Sequence, residues 1–268
     1  MLFDSAVPTI YGDNIPLAWA KAFLQCLETP EKVLHSAVVR IKVSDDSESN
    51  DTQEIRKIVD TKLRSLLKQS RVQSIVETVA GTIFPESIWQ LAKGDRHRFY
   101  EEYEKTLPFI RRKLVNRRGT YFQRMVAFPC NDDTTINQLE FIINTWNKGN
   151  HRHSALQAGI FDPRNDHSDS RRLGFPCLQQ VVFYPNGSNG KEGLSVVAFY
   201  ATQTLAEKAY GNYLGLYRLG LFMAKEMRLQ LKEVVCVAAA LKLSDSSKIN
   251  KTVCEPVADA IRAVLKNA

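Results

Sequence analysis

Apolar residues recur along this chain at two spacings, one helical and one alternating, and these spacings mark out its elements. Leu17, Ala20, Phe23 and Leu24 share one face of a helix predicted over residues 15–30. Ser36 to Val43 (SAVVRIKV) is rich in β-branched residues and reads as a strand. Residues 44–52 (SDDSESNDT) are small and acidic and read as a surface loop; because patterned sequence resumes on both sides, they are not a domain linker. Ile55, Ile58, Val59, Leu63, Leu66 and Leu67 place a helix over 54–67, and a further helix begins within 72–83, ended or bent by Pro85. A charged helix is predicted over 89–103, and an amphipathic one from Asp133-Thr134 with Ile136, Leu139, Ile143 and Trp146 inward.

The second half changes period. Leu156, Ala158 and Ile160 alternate as in a strand, and residues 162–172 (DPRNDHSDSRR) form a polar loop. Strands follow over 178–184 and 194–200, joined by the turn-rich segment PNGSNGKEG of a hairpin. Leu216, Leu219, Met223 and Met227 form the packing stripe of a long helix over about 210–229. A buried strand over 233–243 (EVVCVAAALKL) and a helix over about 251–265 complete the pattern. This order predicts a mixed α/β domain of the α+β type, with a mainly antiparallel sheet packed with a long central helix.

Composition narrows the function classes. With 268 residues and 44% hydrophobic content, the chain can bury a full core as one large domain or two small ones. The charged fraction, 24%, is that of a globular protein rather than a disordered one. A net charge of +7 favours anionic partners, although an ordinary basic surface accounts for it equally well. The basic residues cluster only at Arg111-Arg112-Lys113, Arg117-Arg118 and Arg171-Arg172. No apolar run approaches the ~20 residues that span a bilayer, and the N-terminal stretch lacks the regions of a signal peptide. The five cysteines are widely spaced, odd in number and without a CxxC, and the histidines do not pair with them at metal-ligand spacing. The expectation is a cytoplasmic protein with no disulfide framework, no metal and no membrane span.

Two cysteines share a local context, Phe128-Pro129-Cys130 and Phe175-Pro176-Cys177. Cys177 differs in its flanks: a polar loop precedes it, and a strand, a hairpin and a long helix follow. In that order the chain resembles the thymidylate synthase superfamily, including the pyrimidine nucleotide hydroxymethylases. There a Pro-Cys opens a strand and an Asn starts the central helix, where Asn212 falls here. Gly119-Thr120-Tyr121-Phe122-Gln123-Arg124 resembles the family's Tyr-Gly-x-x-Arg region, with Phe122 in place of the glycine. Phe161-Asp162-Pro163 resembles a Trp-Asn-Pro, and Ser74-Ile75-Val76-Glu77 the segment with the catalytic glutamate. The likeness covers about residues 70–265 of a single domain spanning 1–268, with a divergent N-terminal portion of about 1–70.

The resemblance implies a nucleophile at Cys177, a proton-relaying carboxylate at Glu77 and a base-reading amide at Asn212. It also implies Tyr121 and Arg124 in the substrate site, methylenetetrahydrofolate as one-carbon donor and a homodimer. Sulfur adding to C6 of a pyrimidine would make C5 nucleophilic toward a one-carbon unit. The departures fall on the nucleotide's grip. The phosphate-binding Arg-Ser becomes Ala201-Thr202 and the Asp that follows becomes Thr204. The Gly-Gly-Asp becomes Ala238-Ala239-Ala240, and the ribose-binding His and Tyr become Lys242 and Ser244. Alanine cannot replace arginine's planar fork on a phosphate. The C-terminal portion that closes over folate in the family has no counterpart.

Two readings therefore stand side by side. One is an enzyme using Cys177 on a pyrimidine nucleotide or related anionic ligand, with phosphate held by Arg171 and Arg172. The other is a non-catalytic homologue that senses nucleotides or assembles with a partner protein. A basic nucleic-acid-binding protein is the third. Each site residue also has a bland role: Cys177 in the core, Glu77 on a solvated helix, Tyr121 and Arg124 in a structural pair, Arg171 and Arg172 on a solvated loop.

Overall fold

The computed structural model of the chain describes residues 7–43, 50–72, 75–131, 134–149, 151–170, 175–186 and 192–266. Of the loop predicted over 44–52, residues 44–49 lie outside the described residues, and 50–52 are helical instead; the hairpin tip at 187–191, and Ser74, Asp133, Arg171 and Arg172 also lie outside the described residues.

The described chain opens with strand β1 (Thr9–Gly12), helix α1 (Ile15–Glu28) and strand β2 (Val33–Lys42). Asn14 caps α1 by accepting from the Leu17 N–H at 3.0 Å, and Thr29 closes its other end. The predicted helix over 54–67 is present as α2 (Asn50–Ile58), a π-helical turn (Val59–Leu63) and α3 (Arg64–Gln69). Then come α4 (Val76–Ile83), α5 (Glu86–Leu91) and α6 (Arg96–Arg111). The single helix expected over 89–103 is thus two. Lys93 and Gly94 both take positive φ, 53° and 83°, which no helix continues. Asp95 then caps a fresh start by accepting from the His97 and Arg98 N–H groups.

Next are α7 (Tyr121–Val126), the short strands β3 (Phe128–Pro129) and β4 (Thr135–Ile136), and α8 (Gln138–Lys148). Here the helix expected from Asp133-Thr134 starts later. Asn137 takes the cap, accepting from the Glu140 N–H at 3.0 Å, and frees Thr135 and Ile136 to pair with β3. Ile136, expected inward, is consequently exposed, whereas Leu139 and Ile143 are buried as expected. The remainder comprises β5 (Gln157–Gly159), α9 (Pro163–Asp166), β6 (Leu178–Asn186), β7 (Gly193–Thr204), a second π-helical turn (Leu205–Ala209), α10 (Tyr210–Met227), β8 (Gln230–Lys242) and α11 (Lys251–Lys266).

Six strands form one sheet in the order β1-β2-β8-β7-β6-β5. β1 runs parallel to β2, whereas β2 with β8 and β5 with β6 are antiparallel. The fold class is the expected one, a mixed α/β chain with a mainly antiparallel sheet. Among the described residues no helix is long and apolar enough to cross a membrane. Along β2 the buried positions switch phase at Ser36, whose φ is +53°: Leu34 points inward before it, and Ala37, Val39 and Ile41 after it. β8 switches at the same level, from Val234, Cys236 and Ala238 to Leu241. The segment Ala238-Ala239-Ala240 therefore lies on this kink.

The chain divides into two compact units: Met1–Val79 with Phe199–Leu214 and Lys232–Ala268, and Ala80–Ala198 with Gly215–Leu231. In the first unit the buried face of α1 carries Trp19, which stacks on Phe23 at 5.0 Å and meets Tyr210 edge-on at 5.9 Å. Its indole N–H donates to the Leu205 carbonyl at 3.0 Å, which satisfies the buried polar atom. The second unit is built on an aromatic cluster in which Phe99 meets Phe84, Trp89, Phe122 and Phe222.

In the first unit α10 lies very close to α4. A Cβ on Gly211 would sit 2.7 Å from Val79 Cβ and 2.8 Å from the Val76 carbonyl oxygen, neither of which is a flexible chain end. Gly211→Ala is therefore expected to destabilise by about 1–3 kcal/mol through overpacking, outweighing a helix-propensity gain of about 1 kcal/mol. A thermal melt checks this, and a melting temperature at or above that of the parent chain contradicts the tight packing.

Candidate functional site

The sequence-predicted residues fall in different units. Cys177, Tyr121 and Arg124 belong to the second, and Glu77 and Asn212 to the first. Glu77 lies exposed in the first turn of α4, where its negative charge suits the helix N-terminus. Asn212 is buried, 4% exposed, near the start of α10.

Cys177 stands immediately before β6, as its flanks predicted, and is half-buried. Gln179 ties down the approach: its Nε2 donates to the carbonyls of Pro176 at 2.8 Å and Cys177 at 3.2 Å. The Gln179 carbonyl in turn accepts from the Ile160 N–H at 2.8 Å, anchoring the segment beside β5.

Tyr121 reaches this loop from the first turn of α7. Thr120 positions it by capping the helix, its hydroxyl accepting from the Gln123 N–H at 3.1 Å. The same hydroxyl meets the Tyr103 hydroxyl at 2.6 Å. The Tyr121 ring stacks on Phe175, with centroids 5.3 Å apart. Its hydroxyl lies against the backbone of Cys177 and Leu178. Burial, and secondarily the neighbouring Cys177 thiol, push the phenol's pKa well up, so it stays protonated at neutral pH and can act as a hydrogen-bond donor.

Arg124 lies one turn further along α7 and has a different task. Its Nη2 donates to Asp166 Oδ1 at 2.8 Å, and Asp162 lies 4.0 Å from Nη1. The guanidinium also sits over the Phe175 ring, 5.6 Å from the centroid. Asp166 is itself fastened, its Oδ2 accepting from the Asp162 N–H at 2.7 Å. Asp162 caps α9 and accepts from Arg164 Nε at 3.0 Å; that hydrogen bond, against some desolvation, holds its pKa below the usual carboxylate value. Arg124 thus packs on the thiol's loop while carboxylates neutralise its charge.

Gln138, at the start of α8, completes the frame. Its amide donates to the carbonyls of Arg124 at 2.9 Å and Gly159 at 2.8 Å, and its Oε1 accepts from the Gly159 N–H at 2.9 Å. Sequence reading missed Gln138, Gln179 and Asp166, and it named Asp162 without its partners. A signal existed for Asp166: Asp-Pro is a helix-start dipeptide, so Asp162-Pro163 marks the short α9 within the segment expected as a loop.

The other cysteines show why Cys177 stands out. Cys26, Cys236 and Cys254 are no more than 1% exposed. Burial pushes the thiols of Cys26 and Cys254 up to about 12 and that of Cys236 higher still, so these three are core residues. Cys130 shares the Phe-Pro-Cys context and is half-buried, but it closes a turn, its N–H donating to the Thr134 carbonyl at 2.8 Å. Among the described residues no group of three or more His, Cys, Asp or Glu side chains could hold a metal ion.

The arrangement joins a half-buried thiol, a protonated phenol at its backbone and an aromatic pair beside it. No protein-family model and no curated protein matches the chain.

Proposed function

We propose that this chain acts through the Cys177 thiol on a pyrimidine nucleotide or related ligand, as a divergent member of the thymidylate synthase superfamily. The observation that carries the reading is the Tyr121 hydroxyl set against the backbone of a half-buried Cys177. The chemistry is conjugate addition. The thiolate forms a bond to C6, the C5–C6 π electrons move through C5 to the C4 oxygen, and the resulting enolate makes C5 nucleophilic. A protonated Tyr121 can donate a hydrogen bond where negative charge gathers. In this reading methylenetetrahydrofolate is the one-carbon donor, but the described side chains do not fit it well. Arg124, the cation beside the thiol's loop, is engaged by Asp166 rather than turned to an anionic tail.

The test needs no folate. Addition followed by protonation at C5 and reversal exchanges the C5 hydrogen with solvent. Incubated in deuterium oxide with a pyrimidine deoxynucleoside monophosphate, the protein is expected to wash deuterium into C5, and Cys177→Ser to abolish the exchange. The nucleotide is also expected to slow alkylation of Cys177 and to raise the melting temperature. Absence of exchange, protection and stabilisation together would reject the enzyme reading.

A specific observation also favours an assembly role. Outward strand positions are apolar in each unit: Val182, Tyr184 and Val197 in the second, and Phe199, Ala201, Val235, Val237 and Ala239 in the first. Tyr184 is 50% exposed and Phe199 38%. Such positions support a homodimer or a partner protein seated on them. Light scattering checks this, with Tyr184→Glu expected to yield monomer.

A further inference from the structure

We propose that the end of α6 and the turn after it bind single-stranded nucleic acid, a function separate from the Cys177 site. Five basic residues fall within eight positions, Arg111, Arg112, Lys113, Arg117 and Arg118, and all five are exposed. From Lys105 to Asn131 the sequence contains no aspartate or glutamate. Among the described residues none of the five is paired with a carboxylate. The concentration of charge exceeds what a helix C-terminus needs to offset its dipole, since that effect is confined to the last turn.

Two apolar side chains stand among these cations in the open: Phe109 is 60% exposed and Leu114 82%. The Arg112 guanidinium lies over the Phe109 ring, 4.8 Å from its centroid. The backbone turns tightly here through a 3-10 segment, Leu114–Asn116, and Arg111 Nη2 reaches the Arg117 carbonyl at 3.4 Å. Helix end and turn therefore present their cations together around one aromatic platform.

Phosphates pair with the cations, and an unstacked base stacks on the Phe109–Arg112 pair. Single strands fit better than duplex, whose bases are already stacked. They also fit better than an anionic bilayer. A helix lying on lipid needs a continuous apolar face, whereas α6 carries Glu101, Glu102 and Glu104 just before the patch, and these would meet the headgroups.

Fluorescence anisotropy with labelled oligo-dT, oligo-rU and a duplex of equal length tests the proposal. Single strands should bind more tightly than the duplex, and the DNA and RNA arms identify which strand is preferred. The salt dependence should weaken in the triple variant Arg111→Gln, Arg112→Gln, Arg117→Gln, by about 2 in the log–log slope. Phe109→Ala should weaken single-strand binding about 5- to 100-fold while leaving the slope unchanged, and Phe109→Tyr should retain binding. These side chains are exposed, so circular dichroism melts of the variants should match the parent. Lack of single-strand binding at low salt, equal binding by the triple variant, indifference to Phe109→Ala, or binding to phosphatidylserine vesicles in place of oligonucleotides would each overturn the proposal.

Discussion

Phe99→Ala is expected to lower stability by about 3–5 kcal/mol, the cost of removing a fully buried aromatic ring. Phe99 has no exposed surface and stands at the centre of the second unit's aromatic cluster. Its ring centroid lies 5.1–5.8 Å from those of Phe84, Trp89, Tyr100, Phe122 and Phe222. These partners come from five segments of the chain, so no single one can move in to fill the void. At roughly 2–4 °C per kcal/mol the melting temperature should fall by about 6–20 °C. Phe99→Leu, which keeps most of the volume, should cost clearly less. A Phe99→Ala protein melting within about 2 °C of the parent would show that the cluster relaxes freely and does not support the unit.

Asp166→Ala is expected to cost about 3 kcal/mol, for a reason of charge rather than volume. The Asp166 side chain is 5% exposed and that of Arg124 11%. Removing the carboxylate leaves a mostly buried guanidinium with only Asp162 nearby, 4.0 Å away. The Asp162 N–H loses its acceptor as well. Breaking one half of a buried ion pair costs about 3–5 kcal/mol, and the remaining carboxylate places the loss toward the lower end. The control is the double variant Arg124→Met, Asp166→Leu, which removes both charges and should recover most of the loss. If the single and double variants melt alike, stranded charge is not the cause. Because Arg124 also rests on Phe175, the single variant should further alter the rate at which Cys177 is alkylated.

Much of the fold was legible because periodicity is a local property. The stripe Leu216, Leu219, Met223 and Met227 follows from 3.6 residues per turn, and all four are buried in α10. The alternation at Leu156, Ala158 and Ile160 follows from the two-residue repeat of a strand, and these too are buried. The two helix boundaries that differ from the expected ones also carry local signals. Gly94-Asp95 contains a stop and a start, and Asn137 with Glu140 is a capping pair stronger than Asp133-Thr134. The π-helical turn at Val59–Leu63 left no such mark, because it lies between α2 and α3 and its residues keep the helical pattern on both sides.

The sequence by itself determined the succession of helices and strands, the class of the sheet, and the position of Cys177 just ahead of a strand. Each follows from spacing among near neighbours. Tertiary structure alone decided that three thiols are sealed in the core and that those of Cys130 and Cys177 are half-buried. It also decided that Tyr121 meets the Cys177 backbone, and that Arg124 is claimed by Asp166, 42 residues along the chain. Pairing over such a distance depends on which surfaces folding brings together and on the cost of leaving a buried charge alone, and no local pattern of residues encodes either.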